Sequence, residues 1–324
     1  MNKIIAEIKS KYQVRPLIGL DEKNRGEITS LYKKEPVPIF EHNFIHVMTY
    51  LRFGKELFLV KGDNGSAIIV YDPESKTYSF FTPQILNSKF LLDLARIASI
   101  FSQKNFQILN VSKSWKDDYL LSLKKCFRKE LQVINRSQGE AIYDLRLLNE
   151  LKGKDFSMLR YRRNKLLEKK RLVFHLVNRD NLEKAIRVVR KWNEVQGIKY
   201  AKNKEEKEIF VIQELVKSNL NNKLFNLEMG TINNQGLSLV LYFIHPNNDN
   251  YGQIYLLKGI NRKGDGGEDG VSDATYLYAF RKMYEKGALF CNDGELGCEE
   301  GTRKHKLGFK PIEFFQSFDI NINL

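Results

Sequence analysis

Residues 293–311 read Asp293-Gly294-Glu295-Leu296-Gly297-Cys298-Glu299-Glu300-Gly301-Thr302-Arg303-Lys304-His305-Lys306-Leu307-Gly308-Phe309-Lys310-Pro311. Alternate residues of a strand point to one side, so a strand ending here presents the carboxylates of Asp293 and Glu295 on a common face. The glycines then release the chain into a turn. Glu299 and Glu300 sit where the next helix begins and favour its positive end, while Arg303, Lys304 and Lys306 fall within one or two turns of it. Acids and cations are brought together at one strand-to-helix junction.

Working outward, hydrophobic periodicity predicts the same order of elements twice. In the second half, Asp180 caps a helix with Glu183 at its third position, and Leu182, Ala185, Ile186, Val189 and Trp192 form its apolar face. A helix over Glu205 to Leu220 leads to strands at Leu224 to Thr231, Gly236 to His245 and Gly252 to Lys258. Then come a helix over Ala274 to Tyr284, a strand at Ala288 to Cys291, a short helix from Glu299 and a terminal strand at Glu313 to Ile320. The first half offers helices around Glu27 to Lys33 and Phe44 to Leu51, then strands at Glu56 to Val60, Ser66 to Tyr71 and Thr77 to Phe81. A helix over Phe90 to Phe101, a strand at Phe106 to Val111, a helix over Asp117 to Lys129 and a strand near Leu131 to Ile134 follow. The two halves share no visible residue identity. Asn and Gly concentrate at Asn221-Asn222, Asn233 to Gly236 and Asn247 to Gly252, as hairpin turns require.

The run at 293–311 resembles the end of the phosphatidylglycerol lysyltransferase C-terminal-like family, a set of tandem acyltransferase-fold (GNAT-like) proteins. That family's pattern is acid, any, acid, Leu, Gly, then Gly, Leu, Arg, Lys, any, Lys, Leu, small, aromatic, any, Pro. Asp293 and Glu295 keep both acids with their identities exchanged, and Leu296, Gly297, Gly301, Arg303, Lys304, Lys306, Leu307, Phe309 and Pro311 fall in step. Thr302, His305 and Gly308 depart from it. A second block, Ile142-Tyr143-Asp144, Leu147, Leu151-Lys152-Gly153-Lys154, Phe156, Arg163 and Asn164, resembles the family's junction between its halves. The resemblance implies an α+β protein of two tandem GNAT-like domains, each a mixed central sheet flanked by helices. Residues 1–148 would form the first and 149–324 the second, opening with a basic helix.

Composition fits a two-domain protein without choosing its chemistry. The chain has 324 residues, 42% of them hydrophobic, and Cys126, Cys291 and Cys298 lack metal-ligand spacing, so a reducing cytoplasm is expected. No apolar run is long enough to span a bilayer. The formal charge of +14 asks for an anionic partner. Between Lys152 and Arg171 nine basic residues stand against two acidic ones, so half of that excess sits in twenty residues. Phe156, Leu159, Leu166 and Leu167 give the segment one apolar stripe with cations around it. Two readings stay open: a helix gripping the phosphates of transfer RNA or an anionic membrane surface, and a solvated connecting helix.

The resemblance implies acyl transfer to an amine or hydroxyl of a lipid or small molecule, with aminoacyl-transfer RNA as donor. Asp293 and Glu295 would take the acceptor's proton or hold the donor's ammonium, and the hydroxyl of Tyr276 could act as general acid or simply pack in the core. Arg303, Lys304 and Lys306 would neutralise phosphates, as would Arg163 and Lys165 on the basic helix; Lys258 matches a family lysine at the end of its strand. In the plainer reading these charges pair with one another and knit the last strand to the last helix. Asn261-Arg262-Lys263-Gly264-Asp265-Gly266 has the glycine spacing of an acyl-CoA pyrophosphate cradle, with Gly264 and Gly266 at the key positions, but Asp265, Glu268 and Asp269 are unfavourable there. An acyl-CoA-dependent N-acyltransferase and a non-catalytic binding protein are therefore the alternatives. His42 and His46 share a helical face without a third metal ligand. His175 and His245 read as structural.

Overall fold

The computed structural model describes the chain except residues 1, 20–21, 33–38, 64, 86–88, 91, 95–105, 127–130, 136–138, 170, 197–201, 222–223, 247, 263–265, 298 and 323–324. It forms two compact units, Met1–Glu140 with Phe315–Leu324, and Ala141–Phe314. The last ten residues therefore fold with the first unit and not, as expected, with a domain spanning 149–324.

The first unit runs α1 (Asn2–Lys11), β1 (Gln13–Pro16), α2 (Glu22–Leu31), α3 (Phe44–Thr49), β2 (Glu56–Gly62), β3 (Gly65–Asp72), β4 (Thr77–Ile85), β5 (Phe106–Ser112), α4 (Lys113–Cys126) and β6 (Leu131–Asn135). The second continues with β7 (Glu140–Asp144), α5 (Leu145–Glu150), α6 (Ser157–Arg163), β8 (Val173–Leu176), α7 (Leu182–Gln196), α8 (Lys202–Lys217), β9 (Asn226–Ile232), β10 (Gln235–Ile244), β11 (Tyr251–Gly259), α9 (Val271–Glu285), β12 (Phe290–Glu295), α10 (Glu300–Gly308) and β13 (Glu313–Phe315). β14 (Ser317–Ile322) closes the chain. The sheet orders are β1-β2-β3-β4-β5-β14-β6 and β13-β7-β12-β11-β10-β9-β8.

Both sheets share one device. Antiparallel strands lead into a parallel pair that holds together over only a few residues: Ser79 to Phe81 against Gln107 to Leu109 for β4 and β5, and Tyr251 to Gln253 against Phe290 to Asn292 for β11 and β12. Beyond Gln253 strand β11 runs on to Gly259 without that partner, so the two strands part, and Asp293 is the next residue of β12 after the paired segment. Backbone groups freed at such a parting are where a mixed sheet can admit a ligand.

Burial follows the sequence pattern. Ala185, Ile186, Val188 and Val189 bury one face of α7, and Ala274, Leu277, Phe280 and Met283 of α9 enter the second core with Val240, Tyr242 and Ile254. Ile69, Phe80, Phe106, Ile108, Ile320 and Ile322 anchor the first core. Ile320 and Ile322 explain the fate of the terminal strand: the single strand expected at Glu313 to Ile320 divides at Gln316, and β14 inserts between β5 and β6, pairing with both. The helix expected over Phe90 to Phe101 lies largely outside the described residues. Among the described residues no helix is long and apolar enough to cross a membrane.

The basic segment is not one regular helix. A 3-10 turn at Lys154–Phe156 precedes α6, and a wider π turn follows at Asn164–Glu168. The wide turn lets the consecutive Leu166 and Leu167 both be buried.

Candidate functional site

The junction of β12 and α10 is built around Gly294. Its φ of 68° is left-handed, and its N–H donates to Asn292 Oδ1 at 2.7 Å. That kink interrupts the alternation on which a common face for Asp293 and Glu295 depended. Asp293 is buried, whereas Glu295 is only partly covered. Lys306, reaching back from α10, lies with Nζ 3.2 Å from Asp293 Oδ2 and donates to the backbone oxygens of Asp293 at 2.6 Å and Glu295 at 2.8 Å. Tyr276 of α9 donates its hydroxyl to Asp293 Oδ2 at 3.0 Å. Burial pushes the Asp293 carboxyl above the usual range, with Lys306, Tyr276 and His305 pulling against it. Burial and then the charge of Asp293 drive the Tyr276 hydroxyl well above the ordinary phenol value. A phenol so placed holds its proton.

Beside this group lies a second one. Asp273, in the first turn of α9 and buried, accepts from Arg162 of α6 at Oδ2, and its Oδ1 is 2.5 Å from His305 Nε2. Burial works to raise the Asp273 carboxyl, but His305 and Arg162 outweigh it and hold it below the usual carboxylate range. The His305 ring meets that of Tyr276 edge-on at 5.3 Å and that of Phe309 at 5.4 Å. Gly270, with φ of 85°, starts α9 where a Cβ would meet Arg162 Cγ at 2.9 Å. The approach of Arg162 therefore requires glycine there.

The remaining candidates have other surroundings. Arg303 and Lys304 are exposed; Lys304 pairs with Glu300 at 2.6 Å, and Arg303 has no ion pair among the described residues. Lys258 is 3% exposed, with Nζ 2.9 Å from Glu208 and 3.7 Å from the Trp192 ring centroid. Burial lowers its pKa while Glu208 opposes the change. Arg163 donates to the Asn149 carbonyl at 3.0 Å, and Lys165 pairs with Glu268 at 2.8 Å. Arg171 also faces Glu268, and Arg162 faces Asp269 as well as Asp273. The acids of the loop before α9 thus answer several cations of the basic segment. Lys154 and Lys169 are exposed without an ion pair among the described residues. In the first unit, His42 has Nε2 2.5 Å from the Asn110 carbonyl and stacks on Tyr32.

The turn before α9, which carries the glycine spacing of an acyl-CoA pyrophosphate cradle, is described only in part. Gly264 lies outside the described residues, and Gly266 offers its carbonyl to Gln235. Asn261 Oδ1 takes the Ser272 N–H at 2.9 Å, and the Val271 N–H donates to the Glu268 carbonyl. A phosphate would find two first-turn amides occupied and three carboxylates, Glu268, Asp269 and Asp273, around them.

The repeated mixed sheet with its parted parallel pair defines a tandem GNAT-fold protein. No protein-family model matches the sequence, and no curated protein matches it either. Among solved structures, a conserved protein of unknown function from Bacteroides thetaiotaomicron is similar over 96% of this chain and 100% of its own, at 16% identity and a TM-score of 0.73. The C-terminal domain of a proposed lysylphosphatidylglycerol synthetase from Agrobacterium fabrum covers 93% of this chain and 92% of its own, at 14% identity and 0.60. A tandem GNAT protein from the clavulanic acid biosynthesis pathway covers 97% and 98%, at 7% identity and 0.54.

Proposed function

We propose that this protein is an acyltransferase that passes an aminoacyl group from charged transfer RNA to an amine or hydroxyl on a lipid or small molecule. The observation that carries the donor is the turn between β11 and α9. Asn261 occupies the Ser272 amide and acids surround the helix start, which disfavours a CoA pyrophosphate there and supports a donor without one. An aminoacyl ester at the end of a transfer RNA needs no such cradle. The residue pattern resembling the lysyltransferase family supports the same donor. Asp293, Tyr276 and Lys306 form a rigid base at the parting of β11 and β12. The exposed Arg303 on α10, with Lys154 and Lys169, supplies cations for a polyanion.

The test supplies the purified protein with bulk transfer RNA charged with labelled amino acids, together with phosphatidylglycerol vesicles and a small-molecule extract. Label should leave the RNA for a lipid or small-molecule product faster than spontaneous ester hydrolysis, and Arg303→Glu should slow it. Label released only as free amino acid at the uncatalysed rate, with acetyl-CoA stabilising the protein, would overturn the proposal.

A further inference from the structure

We propose that His305, held by Asp273, is the proton acceptor for the attacking amine or hydroxyl. The inference rests on the acyl-transfer reading, though not on the identity of the donor. Asp273 binds one nitrogen of the ring at 2.5 Å and is itself anchored through its other oxygen by Arg162, so three elements, α6, α9 and α10, fix the imidazole. The His305 side chain is 32% exposed, and its second nitrogen takes no hydrogen bond among the described residues. A neutral imidazole bonded to a carboxylate through one nitrogen presents a basic lone pair on the other.

The neighbouring groups are unsuited to that task. Asp293 is buried, faces the Lys306 ammonium and accepts from Tyr276. Tyr276 keeps its proton, and Asp273 already accepts from two cationic donors when His305 is charged. The charged and titratable groups facing His305 are Arg162 on α6, Asp273 and Tyr276 on α9, Asp293 on β12 and, on its own helix, Lys306. Asp273 is the one in direct contact, and as a carboxylate it stabilises the imidazolium that forms.

The step balances simply. The nucleophilic nitrogen or oxygen of the acceptor bonds to the carbonyl carbon while its proton moves to the free imidazole nitrogen. The ester C–O bond then breaks, and the same proton passes to the departing oxygen. His305 would be a catalytic residue in this step, and Asp273 a positioning residue.

The experiment uses the full chain and p-nitrophenyl acetate, an activated ester independent of the natural donor. It is combined with 15N NMR of the imidazoles and the pH profile of cleavage. The wild-type ring should carry its proton on Nε2. His305→Gln should lose about a hundredfold of the catalysed rate with its melting temperature near wild type. Asp273→Asn should shift the midpoint of the profile downward, since the carboxylate that favours the imidazolium is gone, a change that a purely structural role would not produce. Full ester cleavage in His305→Gln, or a wild-type ring protonated on Nδ1, overturns the proposal even if Asp273→Asn fails to fold. If ester cleavage depends on His305 but charged transfer RNA gives no transfer, only the donor assignment falls. If His305→Gln transfers from charged transfer RNA at the wild-type rate, the proton-acceptor assignment falls alone.

Discussion

Lys306→Met isolates the charge that stabilises the β12–α10 junction. Methionine keeps most of the aliphatic length but leaves Asp293 buried with Tyr276 as its remaining side-chain donor among the described residues, and removes the donor to the backbone oxygens of Asp293 and Glu295. Breaking one partner of a buried ion pair costs about 3–5 kcal/mol. In a unit of this size each kcal/mol moves the melting midpoint by about 2–4 °C, so the second unit should melt roughly 6–20 °C lower. The pH dependence gives the sharper signature. Burial raises the folded pKa of Asp293 above its unfolded value, so its contribution is fully present at acid pH and declines as pH rises through the folded pKa. Lys306 supplies the largest opposing pull, and its removal raises the folded pKa further. The deficit of Lys306→Met should therefore shrink as pH falls from about 8 toward 5, and Asp293→Asn added to it should recover part of the loss. Of the two tryptophans in the chain, Trp192 lies in the second unit, so its fluorescence in a Trp115→Phe background follows the relevant transition in urea. A deficit below about 1 kcal/mol with no pH dependence would refute a buried, ionised Asp293–Lys306 pair.

Three further outcomes follow from the same geometry. Asp273 has a folded pKa below its unfolded value, so it contributes stability above the unfolded pKa and loses it as pH falls through the folded one; Asp273→Asn should flatten the acid side of the stability curve, measured by urea midpoints against pH. A Cβ at Gly259 would lie 2.8 Å from Ser272 Cα, and Gly259→Ala should cost about 1–3 kcal/mol by the same assay. Acetyl-CoA at a hundred times a genuine Kd would add about 2.7 kcal/mol, roughly 5–11 °C, and a thermal-shift titration to millimolar concentration should instead show no rise.

Much of the sheet was legible because alternation is a local signal. The strands β2, β3, β5, β9, β10 and β11 emerge from their own apolar patterns, and α7 from its buried stripe. What was not legible depended on distant residues. The terminal strand reads as continuous, yet residues on either side of Gln316 belong to different sheets, a choice made by the core around Ile108 and not by the strand itself. Gly294 looks like the middle of an acid-any-acid strand, and only its left-handed φ shows that the alternation is interrupted there.

The charges teach the same lesson more strongly. The run from Lys152 to Arg171 looks like a polyanion grip when counted along the chain, but Arg162, Lys165 and Arg171 meet Asp273, Asp269 and Glu268, about a hundred residues away in sequence. Density of like charge in a segment measures a local excess, whereas availability to a ligand depends on what the fold places opposite. Arg303, by contrast, is exposed and has no ion pair among the described residues. His305 is the converse case. It departs from the resembling pattern, and nothing local distinguishes it from a surface histidine. Its meaning comes from Asp273, thirty-two positions earlier on another helix, and from Arg162 beyond that. A residue pattern can identify the strand and helix that carry the chemistry, but the pairing of an accessible imidazole with a buried carboxylate belongs to the folded chain.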